Sequence, residues 1–151
     1  MKLTSAFLSI ALFSLLFMGL SDARSQGVCP VSGQVIAGHL DASGPLQSGR
    51  VFRDAIPSSC PSKPYPGIFA VGTQFAYEVH EFAPAASSNC VTVNFDTGTC
   101  GTNAHASAYL NSYDPNNQAA NFVGDVGSSL TQPFSFTVPS GSKLVLVVTN
   151  T

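Results

Sequence analysis

The chain has 151 residues, of which 44% are hydrophobic, 10% aromatic and only 9% charged, with 6 Lys plus Arg set against 8 Asp plus Glu. That balance excludes a strongly basic nucleic-acid binder, and the apolar content excludes intrinsic disorder. The scarcity of Glu and Lys excludes a coiled coil, and the length excludes a large α/β enzyme; one domain with an ample core is the expectation.

The first residues read as a targeting segment. Lys2 gives a short positive region, residues 6–20 carry no charge, and Ser21-Asp22-Ala23 places small residues at the two positions a signal peptidase reads. This is the layout of a secretory signal, and the apolar run is short for a membrane span. Residues 1–23 are therefore expected to be removed, leaving a domain over 24–151 in an extracellular or periplasmic setting. No cysteine directly follows the cleavage motif, so a lipoprotein anchor is not indicated. Export makes the four cysteines, Cys29, Cys60, Cys90 and Cys100, an even set in an oxidising route, with two disulfides as the default. Three pairings exist; Cys29–Cys60 with Cys90–Cys100 is favoured because each pair brackets a short segment. A metal site is disfavoured, since no C-x-x-C spacing occurs.

After the signal, 10 Pro and 13 Gly across the whole chain, with runs of Ser, Asn and Thr, cut the sequence into short pieces whose apolar spacing is two. Weak strand candidates lie at 34–40 and 50–53. Stronger ones follow, where Phe75, Tyr77 and Val79, then Val91, Val93 and Phe95, then Ala106, Ala108 and Leu110, then Phe134, Phe136 and Val138 alternate with polar or small residues. Each reads as a strand with one face on a core and one face wet. Pro139-Ser140-Gly141 separates the last of these from Leu144–Val148 and suggests a hairpin. The run Leu144–Val148 is apolar on both faces, as a central strand would be. An exposed edge there would be sticky, so it is a candidate for strand addition by a partner or for homo-oligomer contact. The fold class expected is all-β, an antiparallel β-sandwich of jelly-roll type.

Several pieces in order resemble a bacterial secreted or cell-surface β-sandwich module, similar in plan to the pre-peptidase C-terminal (PPC-like) domains. They are Arg50-Val51-Phe52-Arg53, Pro57-Ser58-Ser59-Cys60, Phe75-Ala76-Tyr77, Asn89-Cys90-Val91-Thr92-Val93, Ala108-Tyr109-Leu110 with Tyr113-Asp114-Pro115-Asn116, Gly124-Asp125, and residues 134–139 before Leu144–Val148. The resemblance implies a sandwich fold and an accessory or adhesive role, and it carries over no catalytic residue. Such modules continue past the equivalent of Val148 into one more strand, which this chain lacks; a fragment without independent function is accordingly one alternative.

Chemistry-bearing residues are sparse. Three histidines, His39, His80 and His105, accompany many serines, but there is no G-x-S-x-G elbow, so a small secreted hydrolase is the second alternative. Glu78 and His80 lie two apart on one strand face and could share a metal, yet two ligands are too few and no third is identifiable. Asp114, Asn116, Asn117 and Asp125, with Asp96, supply oxygen ligands of the kind Ca²⁺ takes, although Asp-Pro-Asn-Asn is equally good turn chemistry. Arg50 and Arg53 fall on opposite strand faces and make no basic patch. Tyr65, Tyr109 and Tyr113 could stack on a sugar or peptide, or cap the core with their hydroxyls at its rim. The reading that results is a secreted, non-catalytic binding or adhesion module with an unknown extracellular protein or glycan as partner, and no nucleic acid or membrane.

Overall fold

The computed structural model describes residues 33–41 and 43–151. The signal segment and Cys29 lie outside the described residues. Residues 36–151 form one compact unit.

Seven strands make it up: β1 Leu46–Val51, β2 Ile68–Glu81, β3 Asn89–Phe95, β4 Ala104–Leu110, β5 Phe122–Asp125, β6 Gln132–Val138 and β7 Leu144–Asn150. Their pairing is antiparallel throughout. One sheet has the order β1-β2-β7-β4-β5, and the other pairs β3 with β6. The all-β sandwich expected from the period-two patterning is therefore the fold.

Register decides which side chains meet. Ala106 lies opposite Val148, Ala108 opposite Leu146 and Leu110 opposite Leu144. This inner face packs on Phe134, Phe136 and Val138 of β6 and on Val91, Val93 and Phe95 of β3. The small alanines of β4 leave the depth that the two phenylalanine rings fill, with centroids 5.7 Å apart.

The outer face of the same sheet is not wet, contrary to the one-face-wet expectation. His105, Ser107 and Tyr109 of β4 are all at most 1% exposed. They lie under the long connections 52–67 and 111–121, where Tyr109, Val145 and Val147 form a second core with Tyr77, Tyr113 and Phe122. Alternation alone marks where the faces switch; it does not report that a loop will later fold over the polar one.

Two further expectations change. β6 and β7 belong to different sheets, so Pro139-Ser140-Gly141 carries the chain from one layer to the other and makes no hairpin. Residues 34–40 form no strand, whereas β5 is a strand only four residues long, too short to show a period.

Candidate functional site

The two sides of the sandwich are built differently, and the difference locates the site. On one side, residues 55–63 run between the sheets and hydrogen-bond to both. Ala55, Ser58 and Lys63 donate their N–H groups to the carbonyls of Gly127, Asp125 and Val123, at 2.9, 2.9 and 3.0 Å. Ser135 and Thr137 of β6 donate to the carbonyls of Ser58 and Pro61, at 2.8 and 2.7 Å. The segment acts as a stave that continues β5 into β6. Glycines make the close approach possible: a Cβ on Gly124 would collide with the Ser58 side chain. One on Gly127, whose φ is +73°, would collide with the Ile56 backbone.

Side chains then lock this stave. Lys63 Nζ donates to Asp54 Oδ1 at 2.6 Å, to the Ile56 carbonyl at 2.6 Å and to Asp125 Oδ1 at 2.7 Å, using all three of its protons. The other oxygen of Asp125 is 3.1 Å from His105 Nε2, and both residues are at most 1% exposed. Burial pushes the His105 imidazole below its ordinary range against the pull of Asp125. Burial also raises the Asp54 carboxyl, but the bonds from Lys63 and from Ile56 N–H outweigh it and hold the group low. A disulfide from Cys60 to Cys90, with Cα atoms 6.0 Å apart, ties the stave to β3. This pairing overturns the favoured Cys29–Cys60 and Cys90–Cys100 scheme: the chain that separates Cys60 from Cys90 crosses β2 and returns beside the stave. Cys100 has no disulfide among the described residues.

The opposite side is open. Ser135 and Thr137 spend their N–H groups on the stave, so Phe134, Phe136 and Val138 carry the ladder to β3, opposite Val93, Val91 and Asn89. Alternation then turns the N–H and C=O groups of Cys90, Thr92 and Asn94 toward the far edge. Among the described residues no strand pairs with that edge. β3 carries no charge, no proline and no register shift, which are the usual means of blunting an edge.

β2 and β1 extend the five-stranded sheet past β7 as an overhang. Glu78 and His80 lie opposite Val148 and Leu146, so they share the inner face with Ala76 and with its partner Leu46. Residues 36–41 cross this overhang as a strap: His39 N–H donates to Glu78 Oε2 at 2.7 Å, and His80 Nε2 is 3.5 Å from Glu78 Oε1. His39 Nε2 is 3.3 Å from Asp41 Oδ2. Hydrogen bonds from the Ser43 side chain and N–H, followed by that of Gly44, hold the Asp41 carboxyl below the usual carboxylate range. Between strap and sheet is a hollow of about 320 Å³ lined by Leu40, Asp41, Leu46, Gln74, Ala76 and Asn150. Among the described residues no lysine or arginine lines it.

The residues singled out in the sequence are dispersed. Asp114 Oδ1 accepts from Asn116 N–H and its carbonyl from Asn117 N–H, so Asp114, Asn116 and Asn117 form an exposed turn. Asp125, expected beside them, is wholly buried on Lys63 and His105 and does not join them in one ligand set. Asp96 accepts from Gly98 N–H and Thr131 Oγ1. Glu78 and His80 do meet, with His39 and Asp41 beyond them, but among the described residues no three His, Cys, Asp or Glu side chains have metal-holding geometry.

Arg50 is buried with its guanidinium 4.5 Å from the Phe69 ring centroid, and burial, then the charge of Arg53, lowers it to about 10. Tyr109 and Tyr113 pack tilted against each other within the second core, centroids 4.7 Å apart, and form no stacking surface, and Tyr65 packs edge-on to Phe122 at 5.2 Å. Leu144–Val148 is central as expected, but both its edges are taken, by β2 and β4, so strand addition there has no free edge. No serine hydroxyl or cysteine sulfur bonds a histidine ring among the described residues.

The Lys63–Asp54–Asp125–His105 network was not foreseen. Its one signal was a lysine, among only three in the chain, inside a Pro- and Ser-rich stretch otherwise without charge. The β3 edge has a signal too, the uncharged run Cys90–Phe95.

No protein-family model matches the chain, and no curated protein and no solved structure does so either.

Proposed function

We propose that the protein is a secreted, non-catalytic β-sandwich binding module that holds an extended segment of its partner by strand addition to β3. The observation that carries this is the outer edge of β3, unpaired among the described residues, with the backbone groups of Cys90, Thr92 and Asn94 turned outward. An uncharged, regular edge of this kind offers main-chain hydrogen bonds for affinity. A disulfide, and the lack of any helix among the described residues long and apolar enough to cross a membrane, are in keeping with an extracellular or periplasmic setting. The accessory role implied by the resemblance to PPC-like modules agrees with it.

Panning a library of short random peptides on the immobilised, oxidised protein tests the reading. Enrichment of sequences that alternate apolar and polar residues is expected, with loss of capture by Thr92→Pro, which removes an outward donor and leaves the β6 ladder intact. Absence of enrichment, or enrichment indifferent to Thr92→Pro, overturns it.

A further inference from the structure

The buried end of the stave sets an amine against a carboxyl group. Lys63 Nζ is 2.7 Å from Asp125 Oδ1, and the two side chains are shut from solvent, at 9% and 0% exposure. A nitrogen bonded to a carboxylate oxygen at that distance stands about 3.5 Å from the carboxylate carbon, the separation of two groups placed to react. Backbone bonds hold the pair there. Lys63 N–H donates to the Val123 carbonyl at 3.0 Å, and the Asp125 carbonyl accepts from Ser58 N–H at 2.9 Å. Neither residue can withdraw without unseating the stave from β5.

The other groups that amide formation needs surround the pair. Asp54 Oδ1 is 2.6 Å from the same nitrogen, within reach of its protons. The Asp54 side chain is 24% exposed, which gives protons and water a way out. His105 Nε2 is 3.1 Å from Asp125 Oδ2, the oxygen that gains charge when the carboxyl carbon is attacked. An ionised carboxylate only accepts hydrogen bonds, so Nε2 carries the ring proton and donates it to Oδ2. One nitrogen nucleophile, one carboxyl carbon, one proton carrier and one donor for the developing oxyanion thus meet at a single dry point.

We propose that Lys63 and Asp125 condense within the folded chain to an isopeptide bond, a covalent link between the stave and β5. The ammonium begins with three protons. One crosses to Asp125 Oδ1, and the resulting amine and carboxylic acid suit a dry site better than two charges do. The Nζ lone pair then bonds to Asp125 Cγ, while the π pair of the carboxyl moves onto Oδ2 under the His105 N–H. Asp54 takes a second proton from Nζ and delivers it to Oδ1, whose bond to Cγ breaks with loss of water. The carbonyl re-forms at Oδ2, and the third proton stays as the amide N–H. Nothing is oxidised or reduced. The stave would then be tied to β3 by a disulfide that reduction opens and to β5 by an amide that it does not.

Mass spectrometry of the purified chain, reduced and denatured, tests this. The expected mass is one water below that required by the sequence from its observed N-terminus, and a proteolytic digest should yield a branched peptide joining Lys63 to Asp125. In reducing gels this closed loop, with its ends 62 residues apart, should run faster than Lys63→Arg, which keeps the charge and forms no such bond. A mass equal to that of the sequence, or a water loss without a branched peptide, overturns the proposal and leaves Lys63 and Asp125 as an ion pair. Asp54→Asn keeps an acceptor oxygen for Ile56 N–H and is expected to fold, by circular dichroism, yet to remain mostly unlinked. Linkage in that variant as complete as in the unaltered chain overturns the assignment of Asp54 as proton carrier.

Discussion

The two sides of this sandwich answer the same problem in opposite ways. Where β5 meets β6, the chain inserts a stave that bonds to both sheets, locks it with a buried lysine on two carboxylates, and ties it to β3 by a disulfide. On the other side, the outer edge of β3 pairs with no strand among the described residues, and a strap crosses the inner face of β2. A closed side is held by long-range bonds whose loss costs stability. An open side contributes little to stability, and under the proposed strand-addition role loss there costs recognition. Substitutions on the two sides should therefore separate folding from binding.

The largest effect is expected at Lys63. Lys63→Met leaves Asp125, which is wholly buried, with only His105 for a partner, and the loss of one member of such a pair costs about 3–5 kcal/mol. A urea titration followed by far-UV circular dichroism measures it. A cost below 1 kcal/mol would mean that the network does not hold the stave. Next comes the disulfide: Cys60→Ser with Cys90→Ser reopens a loop of 30 residues' separation and should cost about 3–4 kcal/mol on chain entropy. Gly124→Ala follows, at about 1–3 kcal/mol, because the added Cβ meets the Ser58 side chain and the stave must shift. Near-normal stability of the last variant would show that the stave is not closely seated on β5.

Much of this closed side was hidden in the sequence for a physical reason. The strands were legible because burial of one face imposes a period of two, as in Phe134, Phe136 and Val138. The stave was not legible: its bonds are made by backbone groups, and Ala55, Ser58 and Pro61 bear no pattern that states which carbonyls they meet. Asp125 was read beside Asp114 because the two are near in sequence and both are oxygen donors. In the structure the β4–β5 pairing turns Asp125 inward toward His105, while Asp114 stays in the exposed turn. Leu144–Val148 shows the opposite case. Two apolar faces truthfully marked a central strand, yet which strands flank it depends on the non-sequential order β2-β7-β4, which no local pattern encodes.

The pH dependence sharpens the comparison, because the groups with shifted titration all belong to the covered outer face and closed side except Asp41. His105 is pushed low by burial, so the unfolded chain binds a proton more readily than the folded one as the pH falls below about 6.5. Stability is then complete above that pH and declines on acidification, and His105→Gln should flatten this limb of a melting-temperature profile. Burial pushes the Tyr65 phenol up to about 12 and raises Tyr109 and Tyr113 as well. For these the unfolded chain releases protons first, so the stability they confer is present below about pH 10 and is lost as the pH rises through the folded values. Ultraviolet titration of tyrosinate should show one cooperative alkaline step. Gradual ionisation of Tyr109 without unfolding would show the second core to be open to water.

The smallest effect on stability is expected on the open side, and it is the one that tests the comparison most sharply. Residues of β3 alternate in what their backbone does: Val91 and Val93 bond to β6, whereas Thr92 and Asn94 turn to the bare edge. Proline removes a donor at either kind of position, so side-by-side variants, each set against an alanine or valine control for the lost side chain, compare the two directions of N–H. Val93→Pro breaks a ladder bond and leaves the Phe134 carbonyl without its donor, a cost of about 1–3 kcal/mol. Thr92→Pro removes an N–H that no described residue accepts, together with the exposed hydroxyl bond to Ser135, and its cost should stay within about 1 kcal/mol; Thr92→Val, which loses only the hydroxyl bond, is the control. Paired melts of the two variants measure the difference. Equal losses would mean that the Thr92 N–H is already bonded within the molecule, and the open side would then be closed by the chain itself. A loss at Val93 alone, joined to a loss of peptide capture at Thr92 alone, places stability on one edge of β3 and recognition on the other.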